Sequence, residues 1–242
     1  MLKKKNIFFV LICLFFSFSL SAISITGSDS YVKEFKGISS FKKIYLSAGP
    51  MEVYLTQGNG PEVRLEGEKG QVEQLDVKVM QGELDILYKQ GQTQPKSSGT
   101  VKIYITARTL TSITARGSVE ISSENPWKVS ALNILLTGSS LINLPMNANS
   151  FSAQISGSST LKTSGSAQTQ NIAITGSGEY SADNLKSDSA TIILSGAGTA
   201  SVFVKKTMEV TIYGSGSVEY KGSPQIDSNI YGSGRIKKAD FL

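Results

Sequence analysis

The sequence predicts an all-β fold, a parallel β-solenoid with turns of about 18–21 residues, and three observations predict it. A Gly-Ser corner recurs seven times, with its first glycine at Gly117, Gly138, Gly157, Gly176, Gly196, Gly214 and Gly232, spaced 21, 19, 19, 20, 18 and 18 residues apart. Apolar residues keep phase with those glycines. No helical period of useful length appears anywhere in the chain.

Aligned on the glycine, each unit shows what it buries. Two residues before it stand Ala115, Leu136, Ile155, Ile174, Leu194, Ile212 and Ile230. The position four before it is also apolar in most copies (Ile113, Ile134, Ile172, Ile192, Val210), as is the position four after it (Ile121, Ile142, Leu161, Tyr180, Val218). Thr, Ser, Asn and Gln fill most places between. Alternation at period two, broken by a Gly-Ser corner and then resumed, describes a strand, a bend and a second short strand. One such unit cannot bury its own apolar row. Stacking units at the ~4.8 Å strand spacing joins the rows into a continuous interior. Glycine suits the corner because a positive φ costs it nothing and stacked backbones can approach closely. A flexible Gly/Ser linker is the competing reading, but a linker has no reason to hold apolar residues in register with its glycines. The last turns carry apolar or Pro residues at every sixth position (Ile212, Val218, Pro224, Ile230, Ile236), as left-handed hexapeptide helices do. Longer earlier turns, and Lys206 at a six-residue position, break that pattern and favour a right-handed helix.

Three regions precede or contain these turns. Residues 1–24 read as a cleaved signal peptide: Lys3, Lys4 and Lys5 form a basic start, Ile7 to Leu20 is apolar, and small residues follow at Ser19, Ser21, Ala22 and Ser24. The apolar stretch is short for a spanning helix, which needs ~20 residues. Cys13 lies inside the apolar run rather than after it, unlike a lipidation site. Cleavage lowers the formal charge from +5 to +2 and leaves a chain without cysteine, exported yet free of disulfides. Residues 30–110 alternate less regularly, as in Val53-Tyr54-Leu55 and Val101-Lys102-Ile103-Tyr104-Ile105, and read as irregular first turns or a cap over the open strand edge. Gln90 to Gly99 is polar and broken by Pro, an exposed loop. Residues 111–242 hold the Gly-Ser-cornered turns.

Several motifs of the first half, taken in order, carry a resemblance. Phe35-Lys36-Gly37-Ile38 and Phe41-Lys42-Lys43-Ile44 are followed by Met51-Glu52-Val53-Tyr54-Leu55-Thr56-Gln57-Gly58, Gly82-Glu83-Leu84-Asp85-Ile86 and Leu110-Thr111-Ser112-Ile113. With the Gly-Ser-Gly turns, this order resembles the head GIN domain family of auto-transporter adhesins over roughly Tyr31 to Ile236. The resemblance implies a right-handed parallel β-helix related to pectin lyase-like folds, an exported protein of a Bacteroidetes-type Gram-negative bacterium, and an adhesive or surface role. The chain departs from the family at Ala107-Arg108, where relatives often carry Pro, and at Gly117-Ser118-Val119, which lacks the second small residue.

For chemistry, the absence of histidine is the sharpest exclusion, removing Ser-His-Asp and Cys-His nucleophiles and imidazole metal sites. Related folds host polysaccharide lyases and hydrolases, so such an enzyme is the alternative function. Its site needs clustered acids and bases on one face, and Asp183 and Asp188 read instead as solvated loop acids. No cofactor or metal is implied. At +2 the mature chain has no basic stripe for nucleic acid. The outward position before each glycine forms a ladder that ends in Thr175, Ser195, Tyr213 and Tyr231. Aromatic rings beside hydroxyls suit sugar faces and sugar hydroxyls, so this ladder is the candidate ligand face; the competing reading is that the two tyrosines serve only to stabilise neighbouring strands as a same-face pair. The expectation is an exported, non-enzymatic binding module of the periplasm, outer membrane or cell surface, with surface or host glycans or proteins as partners.

Overall fold

The computed structural model describes residues 30–89, 91 and 99–239. The expected signal peptide with Cys13, Asp240 and most of the expected loop at Gln90–Gly99 lie outside the described residues. In chain order the elements are β1 (Tyr31–Phe35), β2 (Lys43–Gln57), β3 (Glu62–Gly67), a short helix α1 (Lys69–Gln74), β4 (Leu75–Met80), β5 (Glu83–Tyr88) and β6 (Val101–Ala107). The repeat half holds β7 (Ser112–Ser122), β8 (Trp127–Gly138), β9 (Leu141–Asn143), β10 (Met146–Gly157), β11 (Thr160–Gly176), β12 (Glu179–Gly196), β13 (Thr199–Gly214), β14 (Ser217–Gly222), β15 (Gln225–Gly232) and β16 (Arg235–Lys238).

From β7 onward every pairing is parallel, and the corner glycines are one another's partners from Gly117 to Gly232. The fold is a β-solenoid. Each corner glycine has φ between 93° and 134°, a region that residues with a Cβ rarely occupy. Close stacking adds a second constraint: a Cβ on Gly196 would lie 2.6 Å from the carbonyl oxygen of Gly176. The residue two after each corner glycine points inward. Val119 is buried there in the first corner. In the next two, Ser140 Oγ donates to Gly117 O and Ser159 Oγ to Gly138 O. In the later corners this place is glycine, because a Cβ on Gly178 or Gly198 would meet the Cγ2 of Ile155 or Ile174 at 2.6 and 2.7 Å.

A turn has three sides rather than the two stretches the sequence suggests. The side before the corner runs from β7 (Ser112–Gly117) to β15. The side after it stacks Glu120, Leu141, Thr160, Glu179, Thr199, Ser217 and Arg235. The third side is the start of β8 and β10 and the middle of β11, where Trp127, Met146 and Gly165 align. No repeated glycine marks that side in the sequence, so it does not stand out there. Inward rows from all three sides meet in one apolar interior, whose largest fully buried side chains are Trp127, Tyr180 and Phe151. The polar atoms of the large interior aromatics are satisfied locally: Tyr180 Oη donates to Gln170 Oε1 at 2.6 Å, and Trp127 Nε1 to Ser123 Oγ at 3.1 Å.

The two ends differ. At the N-terminal end β2 forms the first turn, with its Lys43–Ser47 stretch parallel to β5 and its Met51–Gln57 stretch parallel to β6. Antiparallel strands then complete each patch, β4 on β5, and β3 then β1 on β6. Helix α1 joins β3 to β4, burying Val72 and Gln71, whose Nε2 donates to Gly99 O. It is too short to leave a helical period in the sequence. At the C-terminal end, among the described residues, β15 pairs with β13 alone and β16 with β14 alone.

Candidate binding face

In-register parallel stacking makes any residue at a fixed offset from the corner into a row, and outward alternation puts that row in solvent. Thr175 pairs with Ser195, Ser195 with Tyr213 and Tyr213 with Tyr231, so the four residues of the candidate face form one continuous line. The Tyr213 and Tyr231 rings stack with centroids 5.1 Å apart and an interplanar angle of 8°. They remain 51% and 59% exposed, so one flank of the stack faces open water. Ile193, two residues before Ser195 and on the same side, is 42% exposed and widens the apolar part of the surface. Towards the N-terminus the row continues through Thr137 to Arg116, whose guanidinium lies 5.6 Å from the centroid of the Tyr45 ring.

Two acids on this side escaped the sequence reading. Glu209 and Asp227 are register partners on adjacent turns, and they line a shallow groove of about 390 Å³ with Thr191, Thr207 and Gln225. The signal was present: both stand five residues before their corner glycine, one step beyond the aligned positions. Asp183 and Asp188 sit inside β12, at the point where its register with β13 shifts, rather than in a loop between strands. Each is taken up by lysine. Lys221 Nζ lies 2.8 Å from Asp183 Oδ2, while Asp188 faces Lys206 at 2.9 Å and Lys205 at 3.7 Å. The hydrogen bond from Lys206 holds the Asp188 carboxyl below its ordinary value, with the charges of Lys206 and Lys205 adding to the effect.

A second stacked pair near the N-terminus was also not foreseen. The Tyr54 and Tyr104 rings lie 5.1 Å apart at 17°, with the Arg64 guanidinium 4.0 Å from the Tyr104 centroid. Tyr54 Oη donates to Glu52 Oε2, and that bond raises the phenol above its ordinary value. Both tyrosines occupy outward places in alternating strands, but only the pairing of β2 with β6 brings them together. Unlike the Tyr213 pair, this stack is covered on one side by Arg64. Among the described residues no helix is long and apolar enough to cross a membrane, and no group of three or more His, Cys, Asp or Glu is placed to hold a metal.

No curated protein matches the chain. Crystal structures of similar proteins share the fold. A "putative adhesin" from Bacteroides fragilis is 23% identical, with a TM-score of 0.78 over 88% of this chain and 98% of that one. A "putative lipid binding protein" from Parabacteroides distasonis is 22% identical, with a TM-score of 0.71 over 88% and 98%. A "putative adhesin" from Parabacteroides merdae is 18% identical, with a TM-score of 0.69 and the same coverage, 88% and 98%. The chain itself, through residues 40–224, matches the family described as "Putative auto-transporter adhesin, head GIN domain", and it belongs to that family.

Proposed function

We propose that the protein is an exported, non-enzymatic binding module of the cell envelope or surface, and that it holds glycans on the outward side of its last turns. The stacked, exposed Tyr213–Tyr231 pair carries this reading. A sugar ring presents an apolar face of C–H groups, which packs against an aromatic surface, and a rim of hydroxyls, which needs donors and acceptors. Thr175 and Ser195 lie in line with the rings, and Glu209 and Asp227 supply carboxylate acceptors on the same side. The first turn of this module is β2, and β1 with β3–β6 acts as a cap over it. The basic, then apolar start of the chain supports export, and membership of an adhesin family supports a surface role.

The test is a glycan array probed with the wild type and with Tyr213→Ser/Tyr231→Ser. Binding by the wild type and its loss in the double variant, with an unchanged circular dichroism spectrum, is the expected result. Equal binding by both proteins would remove the tyrosine face from the account. A polysaccharide-active enzyme is the second reading, and the observation that favours it is the Glu209–Asp227 pair on the same side as the tyrosines, four residues earlier along the strands. Hydrolases use two carboxylates that flank the scissile bond. On the binding reading, glycans captured by the wild type release no new reducing ends on long incubation. Release that disappears in Glu209→Gln/Asp227→Asn would establish the enzyme instead.

A further inference from the structure

The first turn of the solenoid is covered on only two of its three sides. The β4–β5 hairpin lies over Lys43–Ser47, and β6 with β3 and β1 lies over Met51–Gln57. The third side is crossed by residues 108–111, which carry the chain from the end of β6 to the start of β7 without strand pairing. A cavity of about 750 Å³ opens there, bounded by the turn between β2 and β3 and by the tip of the β4–β5 hairpin. Its size falls in the range of sites that enclose a small organic ligand, about 300–1,000 Å³.

The lining is divided. Phe41 and Ala107, 4% and 1% exposed, belong to the core and border the cavity together with Pro61, so its floor is continuous with the apolar interior. Lys42, Lys43 and Arg108 stand at the rim, all exposed. Among the described residues no carboxylate lies within ion-pair distance of these three side chains, whereas seven ion pairs form elsewhere. No acid lines the cavity. The geometry points to a binding site for an anionic amphiphile: a single carboxylate or phosphate head held by Lys42, Lys43 and Arg108, with its hydrocarbon against Phe41, Pro61 and Ala107. The apolar floor alone would accept any hydrophobe. The unopposed cations select a negative head, since charge-assisted hydrogen bonds are about twice as strong as neutral ones. This site is at the opposite end of the solenoid from Tyr213 and Tyr231 and stands independently of the glycan reading.

Calorimetric titration of the protein lacking its leader tests the site with decanoate, decyl phosphate and decanol, and with acetate and inorganic phosphate as heads without chains. Saturable binding of decanoate, decyl phosphate or both is expected, and which of them binds identifies the head. Decanol, acetate and inorganic phosphate should bind at least about tenfold more weakly, the order expected for loss of a charged hydrogen bond or of the apolar contact. Lys42→Glu/Arg108→Glu should weaken the charged ligands by a similar factor, and Thr109→Trp, which fills the mouth, should do so without changing charge. Tyr213→Ser/Tyr231→Ser should leave this binding untouched. Absence of binding, equal binding of decanol, or indifference to both cavity variants would overturn the assignment.

Discussion

At the scale of single residues, the fold depends on side chains that must be absent and on polar atoms that must be paired. Gly196 combines both reasons for glycine, a φ of 129° and a neighbouring carbonyl oxygen 2.6 Å from where a Cβ would sit. Gly196→Ala is therefore expected to cost about 2 kcal/mol or more in urea denaturation. Gly60, with nothing within 4 Å of a Cβ and no positive φ, is the control, and Gly60→Ala should stay within about 0.5 kcal/mol of the wild type. Tyr180 is the matching polar case. Its ring lies in the interior with a centroid 6.2 Å from that of Phe151, and its hydroxyl satisfies Gln170. Tyr180→Phe leaves Gln170 Oε1 buried without that donor, at a cost of about 1–3 kcal/mol. Burial also pushes the phenol well above its ordinary value of 10.0. Folded protein then holds a proton that the unfolded chain releases, so stability is intact below pH 10.0 and falls as pH rises past it. A flatter alkaline limb for Tyr180→Phe, measured by denaturation between neutral pH and pH 11, is the expected signature.

At the scale of elements, the two ends of the solenoid handle the same hazard differently. A parallel sheet edge presents unpaired backbone groups to any other strand. The N-terminal edge is overlaid by antiparallel strands, whereas among the described residues β15 and β16 have no further strand beyond them. Two inward rows turn polar at that end: Val210 is followed by Ser228, and Val202 and Tyr220 by Lys238. A charge in an inward row makes continued stacking unfavourable. Ser228→Val/Lys238→Val restores an apolar row and is expected to shift the protein towards larger, concentration-dependent species in size-exclusion chromatography. An elution profile identical to that of the wild type would show that the end is not blunted by these residues. The contrast between ends also explains what the sequence could disclose. The repeat turns were legible because each strand pairs with its own copy one turn away, so alignment of the sequence on itself is alignment in space. The N-terminal strands pair with unlike partners. Leu84, Val63 and Ile103 alternate as any strand would, but nothing local says that β3 runs against β6 or that Tyr54 meets Tyr104. The candidate face was partly legible for the same reason: Thr175, Ser195, Tyr213 and Tyr231 share an offset from their glycines. Glu209 and Asp227 share another and were open to the same reading.

At the scale of the whole molecule, the solenoid is a rigid frame that turns a repeated sequence into surfaces with a fixed pitch. Three outward sides result, and their chemistry differs. The side before the corner carries hydroxyls and the exposed Tyr213–Tyr231 stack, the side after it carries Glu179, Ser217 and Arg235, and the third side ends in the ion pairs of Asp188 with Lys205 and Lys206, while the partly covered first turn opens into the cationic cavity. The central functional claim is that a glycan lies on the first of these. Nuclear magnetic resonance of protein with ¹³C-labelled tyrosine and ¹⁵N-labelled backbone, titrated with a glycan captured on the array, tests it most directly. The account predicts that ring signals of Tyr213 and Tyr231 and amide signals of Thr175 and Ser195 shift together with one dissociation constant, while Tyr54 and Tyr104 stay in place. Shifts centred on Lys186, Asp188 and Lys205, with the Tyr213 and Tyr231 rings unmoved, would contradict it.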